Sequence, residues 1–292
     1  MAKTLKEHLS GVDEGLASLI IKMGEIAQGI SSELPYRRGK SDTKNVFGEV
    51  QLVADKWADQ FLIDELSKTG LVKMIVSEEH PDVVKISEEG VFSITLDPLD
   101  GSSNIETNNS VGIIVGIYKD DLPTAGKNLL AAMYILYGPM MTLVYTVREG
   151  VHEFLYTKEG FILREENLKI PEPGILYSVG GLRKEWLPDF RQFIEGLENE
   201  GYKLRYGGSF VGDFNQVLHY GGMFAYPALM DKPVGKLRLM VEAKPMSLIM
   251  EQAGGASTNG QKSILEIEPE DLNQRVPVYV GNKGLIKKIN KL

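Results

Sequence analysis

The spacing of apolar residues changes along this chain, and that change limits the folds that are open to it. Between Val12 and Ile30, apolar residues recur every three or four positions, a pattern typical of a helix buried on one face. Residues 57–66 repeat the pattern, and six short apolar or β-branched runs then follow one another between residues 71 and 156. Such runs predict strands. Two helices before a series of strands favour an α+β layered half with a mixed sheet.

Two polar or proline-containing segments divide the pattern. The basic, glycine-containing stretch Pro35–Glu49 predicts a mobile loop, and residues 169–174, KIPEPG, predict a linker. Beyond the linker, strand and helix patterns alternate, with helices expected over 187–199, 211–219 and 245–253. We therefore expect an α/β protein of two lobes, 1–172 and 173–292.

Composition and charge exclude several classes of protein. The chain has no cysteine, which excludes disulfides, thiolate-bound zinc and thiol catalysis. Its four histidines are far apart in the sequence, which argues against a histidine-rich metal site. The net charge of −8 argues against nucleic acid as a partner. No apolar run of signal-peptide or membrane-helix type is visible, so we expect a cytoplasmic protein with no membrane partner.

Carboxylates follow two of the predicted strands. Ser77-Glu78-Glu79 comes after LVKMIV, and Asp97-Pro98-Leu99-Asp100 comes after FSITL. If these strands are neighbours, four carboxylates meet at one edge of the sheet, where open α/β sheets often bind ligands. Like charges that close together need a cation, and oxygen ligands of this kind suit Mg²⁺. Paired divalent ions are a standard device for hydrolysing phosphate esters.

The residues after Asp97 suit both a metal and a phosphate. Asp97 and Asp100 lie three positions apart, across what we expect to be a turn stiffened by Pro98, and the Leu99 carbonyl offers a further oxygen. The glycine and two serines that follow, residues 101–103, could cradle a phosphate with backbone N–H groups and hydroxyls. The alternative is an ordinary polar turn between strands, because Pro, Asp and Gly are common turn residues.

The segment Asp97–Asn104, DPLDGSSN, resembles the signature of the class I fructose-1,6-bisphosphatases, which belong to the lithium-sensitive, metal-dependent sugar phosphatase superfamily. Two further blocks, residues 220–227 (YGGMFAYP) and residues 236–255, resemble the same family in the expected order. The resemblance implies a two-lobed α-β-α-β-α layered sandwich. It also implies Mg²⁺-dependent hydrolysis of the C1 phosphate of fructose-1,6-bisphosphate in gluconeogenesis, by a phosphoric monoester hydrolase that forms a homotetramer.

The same resemblance assigns roles to individual residues. It implies two or more Mg²⁺ ions per site, replaceable by Mn²⁺ or Zn²⁺. The metal ligands would be Glu78, Asp97, the Leu99 carbonyl, Asp100 and Glu242. Glu79 would orient and deprotonate the attacking water, with Asp55 as its partner and Glu49 on the mobile loop. The substrate would be bound by Gly101, Ser102 and Ser103 at the C1 phosphate, and by Tyr206, Tyr226, Lys236 and Arg205 at the retained phosphate, with Arg205 reaching in from a neighbouring subunit.

Two features depart from the family pattern. Gly180 stands where an asparagine normally helps to hold the retained phosphate, which predicts a looser pocket or a longer sugar. The positions of the family's AMP inhibitor site fall on residues without its usual side chains, among them Val91, Phe92 and Lys119, so we expect AMP inhibition to be weak or absent.

Alternatives remain for the residues and for the function. Tyr226 could be core packing, Lys236 and Arg205 solvated charges, and Asp55 and Glu242 helix caps. The protein could be a sedoheptulose-1,7-bisphosphatase or a broader sugar and inositol phosphatase. It could also be a non-catalytic module that binds sugar phosphates or metal, or a plain structural subunit.

Overall fold

The computed structural model of this chain describes residues 3–44 and 50–292. The first half contributes three helices, α1 (Leu5–His8), α2 (Glu14–Glu33) and α3 (Val53–Ser67). Its strands are β1 (Lys40–Lys44), β2 (Val50–Leu52), β3 (Val72–Ser77), β4 (Val84–Lys85), β5 (Phe92–Asp100), β6 (Val111–Tyr118), β7 (Leu129–Tyr137), β8 (Met141–Thr146), β9 (His152–Thr157) and β10 (Gly160–Glu165). Eight of them form one sheet in the order β10-β9-β8-β7-β6-β5-β3-β4, in which β3 and β5 are parallel.

The second half contributes four helices and a smaller sheet. The helices are α4 (Pro188–Asn199), α5 (Phe210–Tyr220), α6 (Lys244–Gln252) and α7 (Lys283–Ile289). The strands are β11 (Leu176–Val179), β12 (Lys203–Leu204), β13 (Gly222–Tyr226), β14 (Leu237–Arg238), β15 (Ala256–Thr258), β16 (Arg275–Val276) and β17 (Val278–Gly281). A five-stranded sheet has the order β12-β11-β13-β17-β15, and β14 pairs with β16 separately.

The helices and sheets stack in five layers. Helices α2 and α3 cover one face of the eight-stranded sheet, α5 and α6 lie between the two sheets, and α4 and α7 cover the outer face of the five-stranded sheet. Alternation along β6 produces this arrangement: Ile113 and Val115 pack toward α2 and α3, whereas Ile114 and Tyr118 pack toward α5 and α6. The α/β layered sandwich predicted from the sequence is confirmed.

The predictions for individual turns and loops are less accurate than the prediction of the overall architecture. Strand β5 continues through Asp97-Pro98-Leu99-Asp100, so the predicted turn there is wrong. The pairing of β5 with β6 shifts between Asp97 and Asp100, and this irregularity accommodates a proline inside a strand. Within the predicted loop, residues 40–44 form β1 and pair with β2; the rest, residues 45–49, lies outside the described residues.

Two further predictions need correction. The alternation beyond the linker also predicts a strand over residues 202–206, but only two of its residues pair with β11, so the strand is limited to β12. Strand β10 was not expected, and it pairs with β9. Among the residues described, no helix combines the length and the apolar character that a membrane span needs.

The middle layer should carry much of the stability. Ile249 of α6 is fully buried between the sheets, so Ile249→Ala leaves a cavity there. We expect it to lower the free energy of unfolding by about 2–4 kcal/mol, measured by denaturant titration. The matched control is Val234→Ala, because Val234 is 62% exposed. Equal unfolding midpoints for the two variants would contradict this description of the core.

Candidate active site

The two strands that end in carboxylates are neighbours, which is the condition under which their carboxylates can meet. Strands β3 and β5 pair in parallel with Ser77 opposite Leu96, and the N–H of Glu78 donates to the carbonyl of Leu96 over 2.9 Å. Glu78 therefore lies beside Asp97. Behind this edge, buried Asp59 accepts hydrogen bonds from the Ser77 hydroxyl and from His80, and these contacts fix the chain where it leaves β3.

Three buried carboxylates meet at this edge. Asp97, Asp100 and Glu242 are 2%, 8% and 6% exposed, and each offers an oxygen within 4.8 Å of the others. They come from both halves of the chain, two from β5 and one from the segment before α6. Hard oxygen donors in this arrangement could hold a divalent cation.

The start of α5 holds Asp100 in place. The Ser209 hydroxyl donates to Asp100 Oδ2 over 2.6 Å, and the Val211 N–H donates to the same oxygen over 2.7 Å. The Phe210 N–H donates to Oδ1 over 3.1 Å. The first N–H groups of a helix lack partners within the helix, so a carboxylate in this position satisfies them and also benefits from the helix dipole.

Glu242 lies in a single π-helical turn, Leu239–Ala243, directly before α6. Such turns are rare and frequently lie at functional sites. Its Oε2 accepts the Arg238 N–H over 2.6 Å. The Arg238 guanidinium, only 2% exposed, pairs with Glu78 Oε1 over 3.1 Å. Arg238 therefore links the second-half carboxylate to the end of β3.

The electrostatics of the cluster favour protonation or a bound cation. Burial, together with repulsion from Glu78 and Asp100, raises the pKa of Asp97 well above its usual value. Burial raises the pKa of Asp100 to about 6 despite its hydrogen bonds from α5. Burial and the charge of Glu78 raise the pKa of Glu242 to about 8. Asp55 shows the same effect, since burial raises its pKa to about 6.

One cavity gathers nearly all the residues singled out from the sequence. It is lined by Asp55, Glu78, Glu79, Asp97, Leu99, Asp100, Gly101, Ser102, Ser103, Tyr206, Tyr226, Lys236 and Glu242. Asp55 also caps α3, because its Oδ2 accepts the Leu52 N–H over 2.9 Å, so capping does not exclude this residue from the cavity. Gly101 has φ +73, and a Cβ there would lie 2.5 Å from Ser209 Cβ. Only glycine fits this close approach of β5 to α5.

Arg205 stands apart from the cavity. Arg205 is exposed, does not line the cavity, and donates to the Leu204 carbonyl over 3.0 Å. Glu49 lies outside the described residues.

Sequence reasoning missed several cavity residues: Gly208, Ser209, Phe210, Asp213, Phe224, Leu237, Arg238 and Arg275. Ser209 carried a usable signal, because a serine directly before an amphipathic helix is a typical N-cap. Asp213 lies one turn into the same helix and accepts the N–H groups of Gly207 and Gly208. Arg238 carried a weaker signal, a lone arginine within an apolar strand.

The prediction that the histidines are far from one another needs a correction. Residues far apart in the sequence come together, since the rings of His8 and His152 have centroids 4.4 Å apart, and Glu166 lies beside them. Their ring nitrogens are engaged in the fold. His8 contacts Tyr145 and Glu166, and His152 contacts the Glu149 carbonyl and the Asn167 N–H.

Comparison with known proteins assigns both halves of the chain to one family. A family model described as the fructose-1,6-bisphosphatase N-terminal domain matches residues 5–166, and the C-terminal domain model matches residues 170–292. The chain belongs to the fructose-1,6-bisphosphatase family. It is 45% identical to the class 1 fructose-1,6-bisphosphatase of Methanocorpusculum labreanum over 99% of this chain and 91% of that protein. It is 47% identical to that of Trichlorobacter lovleyi over 86% of this chain and 81% of that protein.

Solved structures of the family have the same fold. The crystal structure of Leishmania major fructose-1,6-bisphosphatase in holo form covers 100% of both chains with a TM-score of 0.94 and 31% sequence identity. The T-state structure of the same enzyme matches with a TM-score of 0.88. The similarity in sequence to the curated family members is therefore accompanied by similarity in fold.

The raised pKa values predict an unusual pH dependence for the metal-free protein. Glu242 has a folded pKa of about 8 against 4.5 in the unfolded chain, so the folded state holds more protons between these values. Stability should therefore fall as pH rises from about 5 to 8 when no divalent cation is present. Added Mg²⁺ should abolish this slope, because a cation stabilises the ionised carboxylates.

Thermal unfolding between these pH values, with chelator or with Mg²⁺, measures the effect. Glu242→Gln should flatten the metal-free slope and weaken stabilisation by Mg²⁺. Exposed Asp231 provides the control, and Asp231→Asn should retain both the slope and the Mg²⁺ response. A metal-free midpoint that is constant or rises with pH would contradict this account of the cluster.

Proposed function

We propose that this protein is a phosphoric monoester hydrolase that converts fructose-1,6-bisphosphate to fructose 6-phosphate and inorganic phosphate, the reaction of gluconeogenesis. One observation carries the proposal. The buried carboxylates Asp97, Asp100 and Glu242 share a cavity with a glycine–serine turn and with a group of tyrosine and lysine side chains. A bisphosphorylated sugar would place one phosphate at the glycine–serine turn beside the carboxylates and the other at the tyrosine and lysine side chains.

Asp97, Asp100, Glu242 and Glu78, with the Leu99 carbonyl, would hold the divalent cations. The donors are all oxygen, and the buried carboxylates need a positive charge, which fits Mg²⁺ and also Mn²⁺. Bound ions would neutralise the phosphoryl oxygens and lower the pKa of the attacking water.

The other residues near the carboxylates would bind the C1 phosphate and orient the attacking water. Gly101, Ser102 and Ser103 would receive the C1 phosphate, since their turn follows directly on β5 and its hydroxyls and N–H groups are suitable donors. Glu79 would orient the attacking water and accept its proton. Asp55 supports this role, because burial raises its pKa to about 6 and lets it share a proton near neutral pH.

Tyr206, Tyr226 and Lys236 would bind the phosphate that is retained. Lys236 provides a positive charge, and its Nζ lies 5.6 Å from the centre of the Tyr226 ring. Arg205, exposed on the surface near β12, would complete this group in a neighbouring subunit. The proposal therefore includes a homo-oligomer, a tetramer by resemblance, that acts in the cytoplasm.

Phosphate release with Mg²⁺ tests the function. Fructose-1,6-bisphosphate, sedoheptulose-1,7-bisphosphate and inositol monophosphate are compared, each with and without chelator. We expect chelator-sensitive turnover with the six-carbon bisphosphate preferred. A folded protein that binds Mg²⁺ and hydrolyses none of them would favour the non-catalytic module instead.

Single substitutions test the residue roles. Asp97→Asn removes a proposed metal ligand and Glu79→Gln the proposed base, so each should lower kcat at least about 100-fold while the protein stays folded. Asp231→Asn, at an exposed position, is the charge-matched control and should keep kcat within about twofold. Near-normal turnover in either variant would remove that residue from the proposed mechanism.

The resemblance also places part of the family's AMP site at the start of α2, near residues 13–17, and two contacts there support the expectation of weak AMP inhibition. Asp13 caps α2 by accepting the Leu16 N–H over 3.0 Å, so a carboxylate stands at the helix end where a phosphate would need N–H groups. Phe92 is buried against Gly15 of the same helix. Millimolar AMP should leave the rate of fructose-1,6-bisphosphate hydrolysis unchanged, and inhibition at micromolar AMP would show that this expectation is wrong.

A further inference from the structure

Gly180 follows β11 directly, and its backbone is held on both sides. Its N–H donates to the Ala225 carbonyl over 2.9 Å, and its carbonyl accepts the Trp186 indole N–H over 3.0 Å. Its φ lies outside the left-handed region, so other residues could adopt this backbone conformation. The reason for a glycine here must therefore be steric.

The ring of Tyr226 occupies the space that a side chain at position 180 would fill. A Cβ at Gly180 would lie 2.4 Å from Cε2, 2.5 Å from Cδ2 and 3.0 Å from Cζ of Tyr226. Ordinary contact starts near 3.4 Å, so the ring would have to move by about 1 Å. The sequence predicted a looser pocket or a longer sugar at this position, and the structure shows that the Tyr226 ring occupies the space beside the glycine.

The displaced ring belongs to the cavity. Tyr226 lines it together with Lys236 and Tyr206, and the Lys236 ammonium lies 5.6 Å from the ring centre, within cation–π distance. The backbone beside Tyr226 is fixed by pairing of β13 with β11 on one side and β17 on the other. Only the side chain of Tyr226 can yield, and its movement would carry the phenol group and disturb Lys236.

We propose that Gly180 is a positioning residue that seats the Tyr226 ring on the β11 backbone and thereby sets the affinity of the retained-phosphate subsite. The inference rests on the proposed function, because it assigns the Tyr226 end of the cavity to the phosphate that is not hydrolysed. It gives Gly180 no contact with the substrate. Because Gly180 has no side chain, the Tyr226 ring lies against the backbone, and this sets the positions from which the Tyr226 hydroxyl and the Lys236 ammonium bind a phosphate.

The test compares Gly180→Ala with Gly196→Ala. Gly196 lies in α4, also has a φ outside the left-handed region, and has no atom within 4 Å of an added Cβ. Gly180→Ala should raise KM for fructose-1,6-bisphosphate at least about tenfold with kcat within twofold, the loss expected when one charged contact is misplaced. Fructose 1-phosphate lacks the second phosphate, so its KM should be unchanged. Gly196→Ala should change neither constant.

A double variant shows whether the ring is the cause. Tyr226→Ala alone should also raise KM, and adding Gly180→Ala to it should have no further effect, because the ring that the Cβ meets is gone. If Gly180→Ala does not fold, the double variant should fold, since it has no clash. Any of three outcomes would overturn the proposal. The KM for fructose-1,6-bisphosphate could be equal in Gly180→Ala and wild type, the KM for both substrates could change equally, or the effects of Gly180→Ala and Tyr226→Ala on KM could be additive.

Binding of fructose 6-phosphate by calorimetry separates this inference from the proposed function. Wild-type protein that binds no fructose 6-phosphate would refute the assignment of the subsite and hence the function. Wild-type protein that binds it, with Gly180→Ala binding equally well, would refute only the role of Gly180. We expect Gly180→Ala to bind at least about tenfold more weakly, which corresponds to one charged contact.

Discussion

The burial of like-charged carboxylates is the constraint on which this structure depends. Asp97, Asp100 and Glu242 are nearly inaccessible, and each repels the others in a medium that solvates charge poorly. The fold offsets part of that cost with N–H groups at the start of α5 and with the backbone N–H of Arg238. The remainder calls for a cation. The architecture therefore favours a bound metal ion beside the turn to which we assign the C1 phosphate.

The layered fold could be predicted because its signals are periodic and repeated. Alternation along β6 and the three-to-four-residue spacing in α2 each bury a whole face, so many residues carry the same information. The irregular pairing within β5 could not be predicted. Pro98 and two aspartates are typical of a turn, and pairing of Asp97 and Asp100 with β6 keeps this segment extended although the pairing with β3 ends at Leu96. Tertiary pairing overrides local preference there.

The candidate site could be predicted where motifs are contiguous. The residues from Asp97 to Ser103 and the pair Glu78-Glu79 are adjacent in sequence, and chain geometry brings them together once β3 and β5 are neighbours. Ser209 and Arg238 act through contacts between residues more than 100 positions apart, which no local pattern records. Gly180 is a third case. A glycine has no side chain to suggest a role, and its meaning appears only when the neighbouring ring is seen.

Helix α5 has a consequence for how the protein is made. Its first residues hold Asp100 of β5, and His219 near its end donates to Glu153, a fully buried carboxylate of β9 that also pairs with Arg164. A ribosome releases β5 and β9 well before α5. The nascent first half thus carries two interior carboxylates that lack part of their final hydrogen bonding. Its packing becomes complete only when the chain beyond residue 219 emerges, so the two halves are expected to mature as one cooperative unit.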